Sequence, residues 1–227
     1  MTKKHAYITT AIPYVNGLPH IGHAMDYMLA DVWARYSRQN GREVRFQAGV
    51  DEHGNKIAAK AASKNQTPQE YVDQTHVNFK NMIDELNISV TDFIRTTDAH
   101  HVAAVQYIWQ KLVEAGYIYK GSYEGWYCQG CEAFVTDKEA ADNNGVCPDH
   151  QTPYQRLSEE NYYFKTSAFS DNIRQAIESN KMRIMPEFRK KEFLELMKDG
   201  LKDVSVSRPR KNLSWGVPVP GDDNQVM

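Results

Sequence analysis

Apolar positions recur along the first half of the chain in two alternating rhythms. Ala6–Thr10 reads as a short buried strand, followed by a turn marked by Pro13, Asn16-Gly17 and Pro19. Ile21, Met25, Met28, Leu29, Val32 and Tyr36 then repeat at helical spacing, and Gly41 stands where such a helix stops. Glu43–Val50 alternates loosely as a second strand that runs into Gly49-Val-Asp51-Glu52-His53-Gly54. A helix is expected from Lys56 to about Lys64. Thr67-Pro68-Gln69-Glu70 is a helix start, with Thr as N-cap, Pro at the first position and Glu reaching back. Tyr71, Val72, Phe79, Met82, Ile83 and Leu86 continue it as a long amphipathic helix. Asp92–Thr96 reads as a third strand. Asp98 caps a further helix that carries Val102, Val105, Ile108, Trp109, Leu112 and Val113 as far as Gly116. Trp33 and Trp109, both on helices, are expected in the core.

This alternation of strand and helix predicts an α/β fold with an open parallel sheet. Ligands of such sheets bind beyond the carboxyl ends of the strands. The turn over residues 11–23 and the turn at Asp51–Gly54 both fall at such ends, so they can face one crevice. At Tyr117 the texture changes. Tyr117-Ile118-Tyr119, Tyr123 and Trp126-Tyr127 are aromatic and β-prone, and Glu139–Pro153 is polar and rich in turn residues. Tyr162–Phe164 returns to strand character, helices are expected over about 169–179 and 187–198, and Leu201–Ser207 resumes a strand-like run. The division expected is 1–116 as the first half of an α/β domain, 117–200 as an insertion into it, and 201–227 as the start of a second half.

Composition changes this picture little. Of the 227 residues, 41% are hydrophobic and 25% charged, an ordinary globular mix. A net charge of −2 carries no global nucleic-acid signature, so any RNA contact would use local clusters such as Arg189-Lys190-Lys191 or Arg208-Pro209-Arg210-Lys211. A solvated face is the simpler reading of both. No apolar run approaches the ~20 residues of a membrane span. Met1-Thr-Lys-Lys-His5 leads straight into a strand with no apolar leader, and a cytoplasmic location is expected.

Candidate chemistry lies in two places. His20 and His23 sit at a strand-to-helix turn, three residues apart, where free N–H groups and partial positive charge suit phosphate. Gly22 between them lets an anion approach the backbone. Neither of the common phosphate loops is present, and taken alone two surface histidines would fit equally. His100-His101 also opens a helix but lacks partner ligands and reads as surface. The second place is Cys128-x₂-Cys131-x₁₅-Cys147-x₂-His150, the spacing of a closed Cys₃His zinc site. Thiolates favour Zn²⁺ over Mg²⁺ or Ca²⁺. Four protein ligands leave no open position, so the expected role is structural, on the order of 10 kcal/mol for a small fold.

Ala11-Ile-Pro-Tyr-Val-Asn-Gly-x-x-His20-x-Gly22-His23 resembles the first signature of class I aminoacyl-tRNA synthetases. With Gly49–Gly54, the single zinc knuckle and Leu213-Ser-Trp-Gly-Val-Pro-Val-Pro220, the chain resembles the bacterial methionyl-tRNA synthetase family along essentially its whole length. The resemblance implies a Rossmann-like catalytic domain split by a connective peptide. It implies ATP-dependent activation of L-methionine, with Mg²⁺, and transfer to the 3′ adenosine of tRNA(Met). By motif, His20 and His23 match the histidines that stabilise the triphosphate, with Gly22 in the ATP site. Asp51 matches the carboxylate that holds the substrate ammonium, Ile12 a backbone contact to it, Tyr14 the wall of the methionine pocket, and Arg208 an arginine needed for activation. The K-M-S-K-S loop, the later aromatic wall of the pocket and the anticodon-binding domain are absent from these 227 residues. An amino-terminal portion of a longer enzyme, poorly active alone, is therefore expected. A nucleotidylyltransferase of the H-x-G-H type and a non-catalytic, RNA-binding zinc module are the competing readings.

Overall fold

The computed structural model describes residues 4–131 and 133–227, and of Tyr123 and Ala133 only the backbone. Met1–Lys3 and the Tyr123 side chain, which enter the expectations above, lie outside the described residues. The chain folds as two compact units. One takes Met1–Ile108 and Leu213–Pro218, the other Trp109–Asn212 and Val219–Met227.

The first unit is the expected α/β fold. Strands β1 (His5–Thr9), β2 (Glu43–Val50) and β3 (Asp92–Arg95) form one parallel sheet in that order, with Ile8 beside Phe46 and Ala48 beside Phe93. The helices are α1 (Ile21–Gln39), α2 (Asn55–Ala62), α3 (Pro68–Glu85) and the start of α4 (Ala99–Glu114). Helix α3 begins as its sequence signals: the Glu70 amide donates to Thr67 Oγ1 at 3.3 Å, and the Thr67 amide to Glu70 Oε2 at 2.8 Å. One core cluster gathers Tyr27, Ala34, Val44, Phe46, Ala48, Ile83 and Ile88; another gathers Val15, Val50, Ile57, Ala61, Tyr71, Val72 and Phe79. A fully buried Phe46 or Phe79 contributes about 2–3 kcal/mol by removal from water.

Two expectations for this unit are corrected. Strand β1 is not buried: accessibility alternates along it, and Tyr7 is 59% exposed. Among the described residues it pairs only with β2, which makes it an edge strand. Helix α1 is helical where expected, but its apolar stripe faces outward. Ile21, Met25, Met28, Leu29, Val32 and Tyr36 are all at least half exposed, and Trp33 is 41% exposed rather than in the core. The buried side is Tyr27, Asp31, Ala34 and Ser37. Polar anchors fix its rotation. Tyr27 donates its hydroxyl to the Gly49 carbonyl at 3.0 Å, and Asp31 accepts the Ser89 amide at 2.8 Å and Arg35 Nε at 2.6 Å.

The second unit is built on a long antiparallel pair, β4 (Ile118–Cys128) and β6 (Gln155–Phe164). With β5 (Ala133–Val135) and β7 (Val204–Ser205) they form a sheet of order β5-β4-β6-β7. Helix α5 (Asp137–Asp142) runs into the start of the stretch expected to be turns. Helices α6 (Ser170–Glu178) and α7 (Glu187–Leu196) fall where expected. Strands β8 (Arg208–Pro209), β9 (Pro218–Val219) and β10 (Asp222–Val226) form a small sheet of order β8-β10-β9. The strand-like run at 201–207 shortens to the two residues of β7, which pair with Tyr163 and Phe164. Trp109 is buried as expected, edge-on to Tyr162 with ring centroids 5.3 Å apart. No helix among the described residues is long and apolar enough to cross a membrane.

The reversed face of α1 has a direct test in chemical denaturation. Leu29→Gln should change stability by no more than about 0.5 kcal/mol, as a surface substitution does. Tyr27→Ala, on the opposite side, should cost about 3–5 kcal/mol, as loss of a buried aromatic does. Equal costs at the two positions would contradict this orientation.

Candidate active site and metal centre

The turn after β1 and the end of β2 are bonded to each other. The Asp51 amide donates to the Pro13 carbonyl at 2.8 Å, and the Val15 amide to the Asp51 carbonyl at 3.2 Å. Helix α1 supports the same turn, since Asp26 Oδ2 accepts the Ala11 amide at 3.2 Å. The expected meeting of Asp51 with the Ala11–Tyr14 stretch is therefore present, with Ile12 41% and Tyr14 51% exposed beside it. The Asp51 side chain is half-buried. Its Oδ1 accepts the His53 amide at 3.2 Å and Thr96 Oγ1 at 3.4 Å. Burial raises the Asp51 carboxyl above the ordinary aspartate range, more than these bonds and the nearby His101 lower it. His53 is pushed down to about 4, mainly by burial and then by His101, so it is neutral at neutral pH.

His101 is thus not the surface residue its sequence context implies. It is half-buried and close enough to bias both Asp51 and His53. Only the fold brings it there; two adjacent histidines at a helix start carry no such signal.

His20 and His23 start helix α1 as a capping box. His20 is the N-cap and accepts the Gly22 amide on Nδ1 at 3.1 Å; His23 Nδ1 accepts the His20 amide at 3.2 Å. The rings stack with centroids 3.7 Å apart at 22°, and His23 also packs on Phe79 at 5.4 Å. A Cβ at position 22 would lie 2.9 Å from the His20 ring, so Gly22 makes room for this cap. A ring nitrogen that accepts carries no proton, which leaves Nε2–H as the donor of each neutral imidazole. Burial and the neighbouring His20 lower the pKa of His23, in the same sense. Two ring N–H donors and a helix N-terminus form an anion-directed set.

Arg208 belongs to the second unit, where it opens β8. Its Nη1 donates to Ser205 Oγ at 2.7 Å and to the Ser207 carbonyl at 3.1 Å. A concavity of about 760 Å³ lined by His5, Tyr7, Glu43, Arg45 and Asp92 lies at the amino ends of the strands, away from Asp51. It is the open start of the sheet and gathers none of these residues.

The metal set assembles as its spacing implies. Strand β4 ends on Cys128, Cys131 follows in a turn, and Cys147 and His150 form a second turn after α5. All four ligand atoms lie within 4.8 Å of one another. His150 Nδ1 is 3.9, 3.3 and 3.6 Å from the sulfurs of Cys128, Cys131 and Cys147, and Cys131 and Cys147 are 3.5 Å apart. Tetrahedral bonds of zinc length require about 3.6 Å between N and S and about 3.8 Å between sulfurs. The set fits a single four-coordinate ion. Burial opposes the Cys128 thiolate, but the Cys131 amide and the neighbouring thiols outweigh it and bring the group down to about 6. Any side chain at Gly130 would collide with the His150 ring.

A family model described as tRNA synthetases class I (M) matches residues 6–157 and 150–227, and the chain belongs to that family. The relatives are methionine–tRNA ligases. That of Brucella melitensis is 43% identical over 230 residues, and that of Clostridium tetani 44% identical over 228. Each match covers 100% of this chain, but only 44% and 35% of the relative. Mycobacterium tuberculosis methionyl-tRNA synthetase in complex with methionyl-adenylate superposes with a TM-score of 0.88 at 38% identity, over 99% of this chain and 44% of that one. Its apo form gives 0.77 at 34% identity. The chain thus spans less than half the length of the relatives it matches.

The state of Asp51 can be read directly. A raised carboxyl pKa means that the folded form binds the proton more tightly than the unfolded chain does. Ionised Asp51 therefore weakens the fold above its folded pKa, and the deficit disappears as pH falls below the unfolded value. By ¹³C NMR the Asp51 carboxyl should titrate above ordinary aspartates. Asp51→Asn, which keeps the Oδ1 acceptor, should raise the melting temperature at neutral pH and not at acidic pH.

Proposed function

We propose that this chain forms the amino-terminal part of the catalytic region of a methionine–tRNA ligase. That enzyme activates L-methionine with ATP and transfers it to the 3′ adenosine of tRNA(Met) in the cytoplasm. The single observation that carries the reading is the pair of backbone bonds between Asp51 and Pro13–Val15. They place a half-buried carboxylate against the turn that ends in the histidine cap. Asp51 receives the substrate ammonium, the backbone of Ile12 contacts the same group, and Tyr14 borders the methionine side chain. His20 and His23 donate Nε2–H groups to the triphosphate, with the Gly22 amide region at the same helix start.

Adenylate formation moves negative charge onto the α-phosphate and the leaving pyrophosphate. Fixed N–H donors at a helix N-terminus oppose that charge without reorganising, and loss of one such donor typically costs about 3 kcal/mol in the transition state. Mg²⁺ accompanies ATP as its counter-ion. The activation role of Arg208 rests on the family motif. In domain terms we read 1–116 as the first half of the catalytic domain, 117–200 as the connective insertion and 201–227 as the start of the second half. Cys128, Cys131, Cys147 and His150 would hold one structural zinc, which ties the end of β4 to the loop after α5.

The test of the reaction is ATP–pyrophosphate exchange by the longest natural polypeptide that carries this chain. It should depend on L-methionine, and exchange indifferent to methionine would refute the reading. Asp51→Ala should damage methionine use far more than ATP use. Methionine affinity should fall as pH drops through the raised Asp51 pKa, with proton release on binding in mildly acidic buffer, because an ammonium favours the ionised carboxylate. For the metal, elemental analysis should return one zinc per chain. Cys131→Ser should lower that ratio and expose the cluster of Cys128, Ala140, Cys147 and Tyr154 to proteolysis.

A further inference from the structure

The Asp51 loop is held from a distant point of the sequence. Leu213–Pro218 returns to the first unit after Trp109–Asn212 of the second, and Trp215 is its anchor. The indole Nε1–H donates to the Glu52 carbonyl at 2.5 Å. The Gly54 amide donates to the Trp215 carbonyl at 3.2 Å. Between those two residues, the His53 ring lies against the indole with centroids 5.3 Å apart at 46°. The indole also packs on the core cluster that contains Val15, Val50 and Phe79. Three consecutive residues, starting immediately after Asp51, are therefore fixed by one side chain and its own carbonyl.

We propose that Trp215 is a positioning residue for the substrate ammonium site, acting through the Glu52 carbonyl and the His53 ring on Asp51. The inference rests on the reading of Asp51 given above. Asp51 Oδ1 takes its orientation partly from the His53 amide. The peptide joining Glu52 to His53 carries both that amide and the carbonyl held by the indole. Releasing the carbonyl lets this peptide rotate, and rotation moves the amide away from Oδ1. The phosphate-directed histidines are capped by their own helix and do not depend on this bond.

Two substitutions separate the bond from bulk. Phe keeps an aromatic ring against His53 but has no donor. His has Nε2 at the ring position of the indole nitrogen, so it keeps the donor. In the longest natural polypeptide that carries this chain, Trp215→Phe should raise KM for methionine about tenfold, the effect of losing one hydrogen bond to a buried acceptor. KM for ATP and kcat at saturating methionine should stay within about twofold, since neither reports on this bond. Trp215→His should recover most of the methionine KM. Unchanged methionine KM in Trp215→Phe, a parallel rise in both KM values, or no recovery with His would each overturn the proposal. Hydrogen exchange without substrate gives a second readout. Amides of residues 52–54 should exchange faster in Trp215→Phe and those of 22–24 should not. If the wild type shows no methionine-dependent exchange of pyrophosphate, the assignment of Asp51 fails on its own account. The amide exchange then decides whether Trp215 positions this loop, and unchanged rates would refute it.

Discussion

A carboxylate with no access to solvent governs the architecture of the first unit. Glu52 is fully buried, and its oxygens are held by Arg95 Nε at 2.8 Å and by the Thr97 hydroxyl. Arg95 in turn reaches Asp73 on α3 at 2.6 Å. Removing one member of such a buried pair leaves an uncompensated charge and typically costs 3–5 kcal/mol. The end of β2, the end of β3 and the side of α3 are therefore obliged to meet in one arrangement. Asp51 is the residue before Glu52, and its backbone is part of that arrangement. A half-buried carboxylate with a raised pKa is costly to hold ionised, and the Glu52–Arg95 pair fixes the residue next to it in the chain.

Much of this was legible along the chain because local signals and tertiary demands agree. Thr67-Pro-Gln-Glu70 states its helix start in four residues, and the Cys₃His spacing places two tight turns whose side chains converge on one point. Thr136-Asp-Lys-Glu139 makes the same capping box at α5, with Glu139 Oε2 2.8 Å from the Thr136 amide. That signal straddles the start of the polar stretch Glu139–Pro153, which reads as turns. Its helix is only six residues long and buries a single alanine, so no apolar period announced it. The Glu52–Arg95 pair and the meeting of His101 and Trp215 with the Asp51 loop were not legible, although Trp215 lies in the Leu213–Pro220 motif. Each acts across more than forty positions, and no local pattern encodes such a meeting.

Helix α1 shows the limit of periodicity from the other side. Its apolar spacing correctly marks a helix with an apolar face, but spacing does not say what that face meets. The sheet is met instead by Tyr27, Ala34 and Ser37, with Asp31 and Arg38 bonded to Ser89 in the loop before β3. Close approach to the sheet needs small side chains, and a fixed rotation needs directional bonds. Apolar side chains supply neither as well, because dispersion contacts are non-directional. A stripe of this extent on a helix that also opens the histidine cap is too large to count as scattered exposure. It sets α1 apart from α3, whose apolar face is buried in the same unit.

The histidine cap resolves a tension in the chemistry. A protonated imidazole would attract phosphate more strongly, yet two stacked rings 3.7 Å apart cannot both carry charge without repelling each other. With each Nδ1 accepting one of the helix's own first amides, the donor left on each neutral ring is Nε2–H, and the lowered pKa of His23 favours that form for its own ring. An Nε2–H donor of this kind needs no proton from solvent. The price is that these amides are spent on the cap, so the backbone of the first turn contributes less to an anion than a glycine-rich phosphate loop would. On the function proposed above, the imidazoles would take over that task, with a glycine between them to admit the first ring.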